Sequence, residues 1–151
     1  MSQENVEIVE RYFGAAVRAL DAYWDSPRSM AQALVGHDLD GDSRQVLDLM
    51  HPDMRWKNAA GIVFEGKHGC ARGFDELMET SQAYSATVTE VTDLADDRVL
   101  AVLTVEMNGQ SSGAAATVSI YSVLSLRDGL IADADEYLNR TEALKAVGLE
   151  E

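Results

Sequence analysis

Residues 97–138 constrain this chain more than any other stretch. Three runs, 98–107, 114–126 and 130–138, are rich in Val, Leu, Ile and Thr and are separated by two turn signals. The first is Asn108-Gly109 with Gly113 close behind; the second is Arg127-Asp128-Gly129. An Asp-Gly between alternating runs marks a tight hairpin, because such turns need residues that tolerate positive φ. The pattern predicts a three-stranded antiparallel meander at the centre of the fold. Alternate residues of a strand point to opposite faces. On the first strand the odd face carries Val99, Ala101, Leu103, Val105 and Met107, and the even face Leu100, Val102, Thr104 and Glu106. A strand apolar on both faces asks for cover on both. The chain's own helices can supply one cover and a second copy of the chain the other. The second strand has Val118, Ile120, Leu124 and Leu126 on one face, and Thr117, Ser119, Tyr121 and Val123 on the other. On the third, Glu136 shares a face with Leu130, Ala132, Ala134 and Leu138, one acid in an apolar row.

The N-terminal third reads as helices. Val6, Val9, Phe13, Val17, Leu20 and Trp24 recur at spacings of three and four, an apolar stripe along a long helix over 4–24 with Ser2 as N-cap. Ser26-Pro27 looks like the start of a short helix bearing Met30, Ala31, Leu34 and Val35 and ending at Gly36. Residues 38–42 form a loop whose Asp42 or Ser43 caps a third helix over 43–50, which stops before Pro52. Short strands follow at 54–58 and 62–65, then a helix over 69–83 and a Thr- and Val-rich strand over 84–94. Asn139 and Glu142 have capping-box spacing and open a last helix over 140–147, closed by Gly148. Helices, then strands, then a terminal helix is the order of an α+β domain. A curved antiparallel mixed sheet wrapped around the first helix would make a cone-shaped barrel with one internal pocket, fitted to a small, mostly apolar ligand.

Composition narrows the function classes. A chain of 151 residues is long enough for one domain with a real core. The formal net charge of −14 argues against nucleic acid and anionic membranes as partners, since both reward Lys and Arg. No apolar run reaches the ~18 residues of a membrane span. The acidic, helix-prone N-terminus does not read as a signal peptide. The single cysteine, Cys70, excludes an internal disulfide and fits a reducing cytoplasm.

Several chemistries lack their residues. Counted from Asp38, the twelfth position of a calcium loop is Leu49 where a bidentate Glu is required. His37, His51 and His68 are scattered and, with Cys70, make no metal-ligand spacing. There is no phosphate-binding Gly-rich loop, nucleophile elbow or dinucleotide fingerprint. Neither a metal nor an organic cofactor is indicated.

Four marks, in order, carry a resemblance. They are His51-Pro52-Asp53-Met54-Arg55-Trp56, Val63-Phe64-Glu65-Gly66, Leu126-Arg127-Asp128-Gly129-Leu130-Ile131, and Asp135-Glu136-Tyr137-Leu138-Asn139-Arg140-Thr141-Glu142-Ala143-Leu144. Over nearly the whole chain this order resembles the SnoaL-like proteins of the nuclear transport factor 2-like superfamily, with about 21–41 as an extra helical segment. The resemblance implies a single cone-shaped α+β domain over 1–151, commonly dimeric through the outer face of the sheet. The apolar odd face of the first meander strand is read as that outer face. Relatives include ketosteroid isomerase, polyketide cyclases, scytalone dehydratase and limonene epoxide hydrolase.

By position against limonene epoxide hydrolase, Glu106 and Glu136 stand where its two acids do. Trp56 stands at its Tyr, Asn58 at its Asn and Thr104 at its Arg. Replacing Arg by Thr104 removes the cation that would keep two neighbouring carboxylates ionised, so water activation by that route is disfavoured. Two carboxyls without a cation share a proton, one acting as acid and the other as base. The expectation is an isomerase- or cyclase-type enzyme moving a proton on a small apolar carbonyl compound. Glu136 and Glu106 are the candidate acid–base pair, Asn58 and Thr104 hydrogen-bond orienters, and Trp56 a pocket wall. The competing expectation is a module that binds an apolar metabolite unchanged.

Overall fold

The computed structural model describes residues 2–25, 27–80, 83–108 and 115–149. Helix α1 (Ser2–Asp25) buries Ile8, Val9, Tyr12, Phe13, Ala15, Ala19 and Leu20, so the stripe is wider than the alternation of Val6, Val9 and Phe13 suggests. Helix α2 (Met30–Val35) is capped by Ser29, three residues later than expected; Ser26 lies outside the described residues. The reason is Asp75, on a later helix. It accepts hydrogen bonds from Ser29 Oγ at 2.7 Å and from the Met30 and Ala31 amides at 2.6 and 3.2 Å. Helix α3 (Gly41–Asp48) is capped by Asp40, whose carboxylate accepts from the Ser43 amide at 2.8 Å; the cap is not Asp42 or Ser43.

Strand β1 (Met50–Lys57) begins four residues earlier than expected and contains Pro52. It tolerates the proline because the pairing register shifts between Met50 and Arg55, where the missing amide costs no ladder bond. Strand β2 (Val63–Glu65) and helix α4 (Gly66–Thr80) follow, then β3 (Ala83–Ala95), β4 (Arg98–Asn108), β5 (Ala115–Arg127), β6 (Leu130–Tyr137) and helix α5 (Arg140–Ala146). At the β5–β6 turn Asp128 and Gly129 both take positive φ, 56° and 73°, as the Asp-Gly signal predicts. The Gly109 to Gly113 turn signal lies outside the described residues. Asn139 caps α5 by accepting from the Glu142 amide at 2.8 Å.

The six strands form one curved, unclosed sheet in the order β2-β1-β6-β5-β4-β3. Among the described residues only β1 and β6 pair in parallel. Helix α1 lies in the hollow of the sheet, and Val9, Leu47, Met50, Val99, Leu124 and Ile131 make the core beneath it.

The facing of β4 is the reverse of the expectation. Its odd residues Val99, Ala101 and Leu103 pack into the core under α1, with Val105 and Met107 continuing the row inside the hollow. The even residues face outward. There Leu100 and Val102 join Val123, Ala143 and Leu144 in a second cluster, so α5 covers the aliphatic part of the outer face. The apolar odd row expected on the outer face is therefore covered from within.

Candidate functional site

The hollow between α1, α4 and the sheet encloses a cavity of about 490 Å³. Tyr12, Phe13 and Ala16 reach it from α1, Trp56 and Asn58 from the end of β1, and Gly73 and Phe74 from α4. Leu103 and Val105 of β4, Ile120 and Ser122 of β5, and Ala134 and Glu136 of β6 form its floor. Its mouth lies where Ile62 and Leu77, 46% and 39% exposed, also line it. A smaller hollow of about 170 Å³ lies among α1–α4. Its Asp75 and Asp40 are already engaged in capping α2 and α3.

Glu136 is the acid the sequence singles out, and it lines the cavity. Cross-strand pairing sets it beside Ser122, which is 1% exposed. The carboxyl accepts hydrogen bonds from the Trp56 side chain and from the Ala59 backbone. Burial removes the water that would stabilise its charge, and this outweighs the two donors, so its pKa is pushed up to about 7. No Lys, Arg or His lines the cavity among the described residues. The one other acid there is Glu76 of α4, which is exposed. Glu136 thus holds and releases its proton near neutral pH, the condition for general acid–base work. Burial pushes the Tyr12 phenol pKa well up, and the charges of Cys70 and then Glu136 oppose its ionisation further, so it remains a donor. Burial likewise pushes the Cys70 thiol behind the wall up to about 12, leaving it inert as a nucleophile.

Trp56 forms the wall with Phe64 and Phe74, its ring centroid 5.0 and 5.2 Å from theirs. This cluster needs Gly73. A Cβ there would stand 2.6 Å from Cζ3 of Trp56 and 2.9 Å from Cδ2 of Phe64. Asn58 lines the cavity, but its side-chain carbonyl is engaged by the loop that follows. It accepts from the Ala60 and Ile62 amides at 3.0 and 2.9 Å. That bonding shapes the turn that carries the Ala59 amide to Glu136.

Glu136, Trp56 and Asn58 are therefore brought together, and Glu106 and Thr104 are not. Both of the latter sit on the outward face of β4, opposite Thr117 and Ser119 of β5, and Glu106 is exposed. The expected Glu106–Glu136 pair does not share a cavity, and the positional match to the epoxide hydrolase's two acids is not realised in space. Tyr12, Ser122 and the Ala59 amide are site groups that sequence reasoning missed. Ser122 bore the same signal as Glu136, a polar residue between Ile120 and Leu124 on an apolar face.

The family described as SnoaL-like domain matches residues 28–134. No curated protein matches the chain. Among solved structures, a protein designated a SnoaL-like polyketide cyclase, from a Jannaschia species, is 22% identical. Its TM-score is 0.64 over 98% of this chain and 91% of that one. TerC, co-crystallised with polyporic acid, is 19% identical with a TM-score of 0.56 over 78% and 91% of the two chains. A Catenulispora acidiphila protein of ketosteroid isomerase-like fold, in complex with trimethylamine, is 16% identical with a TM-score of 0.55 over 80% and 92%. These likenesses place the sheet and its helices in the nuclear transport factor 2-like fold. With the family matched across most of its length, the chain belongs to the SnoaL-like domain family.

Proposed function

We propose that the cavity takes a small, mostly apolar carbonyl compound and that Glu136 moves a proton at the carbon beside its carbonyl. The observation that carries this reading is one buried carboxyl, with a pKa near 7, facing an otherwise apolar cavity. A base of that strength takes a proton from carbon and returns it at a neighbouring position without a cofactor. Tyr12, kept protonated, donates to the substrate oxygen as negative charge develops there. The Ala59 amide and the Trp56 indole N–H keep Glu136 oriented. Neighbours designated polyketide cyclase and ketosteroid isomerase-like support a proton-transfer role, and the neighbours crystallised with small organic molecules support a small-molecule site.

The test needs no knowledge of the natural substrate. 2-Tetralone, a neutral bicyclic ketone, exchanges its α-hydrogens for deuterium when a base acts on it. The protein in D2O should accelerate that exchange, followed by NMR. Glu136→Gln should lower the rate by about 10²- to 10⁴-fold, toward the buffer background. Exchange no faster than buffer, or equal exchange by Glu136→Gln, would overturn the reading.

A further inference from the structure

We propose that the cavity is also a cation site, selective for hydrophobic tertiary or quaternary ammonium compounds over neutral molecules of the same shape and over carboxylates. The inference goes beyond proton transfer and does not rest on it. It starts from a charge imbalance. Glu136 is half-buried in the floor, its carboxyl largely out of water, with two hydrogen-bond donors but no cation to balance it among the described lining residues. The chain as a whole carries −14, which raises the local concentration of cations. The walls are rings: Tyr12, Phe13, Trp56, Phe64 and Phe74 all line the same space. Aromatic faces attract ammonium groups electrostatically, more strongly once water is excluded.

The chemistry favours substituted ammonium ions. A primary ammonium carries three N–H donors that need acceptors after leaving water. The floor offers few, since the Asn58 carbonyl already serves the Ala60 and Ile62 amides. A quaternary ammonium has no donors to satisfy and is covered by alkyl groups that suit the apolar walls. An anion meets Glu136 with like charge and finds no Lys, Arg or His among the described lining residues.

The groups that could titrate around the bound cation are few. Helix α1 presents Tyr12 and helix α4 presents Cys70, both held neutral by burial, with Glu76 nearer the mouth. Strand β5 presents no titratable group among the described lining residues, only the hydroxyl of Ser122. Arg55, Asp133 and Asp135, which pair with one another at 3.1 and 3.0 Å, alternate in β1 and β6 with the cavity-lining Trp56, Ala134 and Glu136, on the opposite face of the sheet. Glu136 is the group on which binding of a permanent cation should depend.

Benzyltrimethylammonium, its neutral carbon isostere neopentylbenzene, and phenylacetate make the comparison by calorimetry and by the NMR shift of the Trp56 indole. At pH 8 the cation should bind about tenfold or more tightly than the isostere, and phenylacetate most weakly. Its preference over the isostere should fall as pH drops through about 7, as Glu136 gains its proton. Glu136→Gln should keep the isostere and lose the preference. If that variant does not fold, the wild-type pH profile decides. Equal affinity for cation and isostere, a preference that survives Glu136→Gln, or one that does not change with pH would overturn the proposal. Binding of the isostere without cation preference removes this inference alone. Deuterium exchange without cation preference leaves the proton-transfer reading standing.

Discussion

Glu136 fixes how the protein should respond to pH. Its folded pKa is raised to about 7, whereas an unfolded glutamate releases its proton near 4.3. Between those values the folded chain binds more protons than the unfolded one, so this group's contribution to stability falls as pH rises and levels off above about 7. The loss amounts to roughly 4 kcal/mol as an upper bound, at 1.36 kcal/mol per pKa unit. Glu136→Gln should therefore gain on the wild type as pH rises from 5 to 8, measured by urea midpoints; a pH-independent difference would show that the carboxyl is not desolvated. How far such residues could be read from sequence depends on contrast. Glu136 stands out because Ala132 and Ala134 precede it on its face. Tyr12 gives no such contrast, because a tyrosine beside Phe13 on an apolar helix stripe looks like core, and it is in fact 5% exposed.

At the level of elements, two contacts between helices and their neighbours carry strain or order that substitutions expose. Gly73→Ala forces α4 away from Trp56 and Phe64, an overpacking that should cost about 1–3 kcal/mol in chemical denaturation. It should also shift the titration of Glu136 by displacing the Trp56 donor. Unchanged titration would mean that the wall is softer than its packing implies. Asp75→Ala removes the acceptor for Ser29 and for the first amides of α2, at about 1–3 kcal/mol. Hydrogen exchange at the Met30 and Ala31 amides should speed up first. The sequence could not reveal this cap, because the partners are 45 residues apart and Ser26-Pro27 offers a better local signal. The facing of β4 was hidden for a related reason. Both of its faces are aliphatic near Leu100 to Leu103, so alternation alone cannot choose between them. The choice is made by α5, seven residues whose Ala143 and Leu144 claim Leu100 and Val102 for the outer face.

For the whole molecule, the sheet separates two chemical environments that the chain interleaves residue by residue. Glu106→Gln should leave both deuterium exchange and ligand binding within about twofold of wild type, because Glu106 faces away from the cavity. A large loss would mean that the outer face feeds the site. The outward surface is held by its own pairs, Arg140 with Glu90 and over the Tyr121 ring, and Arg55 between Asp133 and Asp135. Among the described residues no helix is long and apolar enough to cross a membrane. The α+β order, the meander and the last cap were all legible in sequence because each is local. The depth of the cavity was not, because it depends on how far α1 and α4 stand apart across the sheet.

The parallel pairing of β1 with β6 has a consequence for how the chain is made. Strand β1 leaves the ribosome well before β6, yet apart from the three-residue β2 its neighbour in the sheet is β6. Until residues 130–137 emerge, the aromatic wall has no acid beside it and β1 has an open edge. Cotranslational folding of this domain should thus wait for β6, and a nascent chain arrested before Leu130 should remain protease-sensitive through Met50–Lys57.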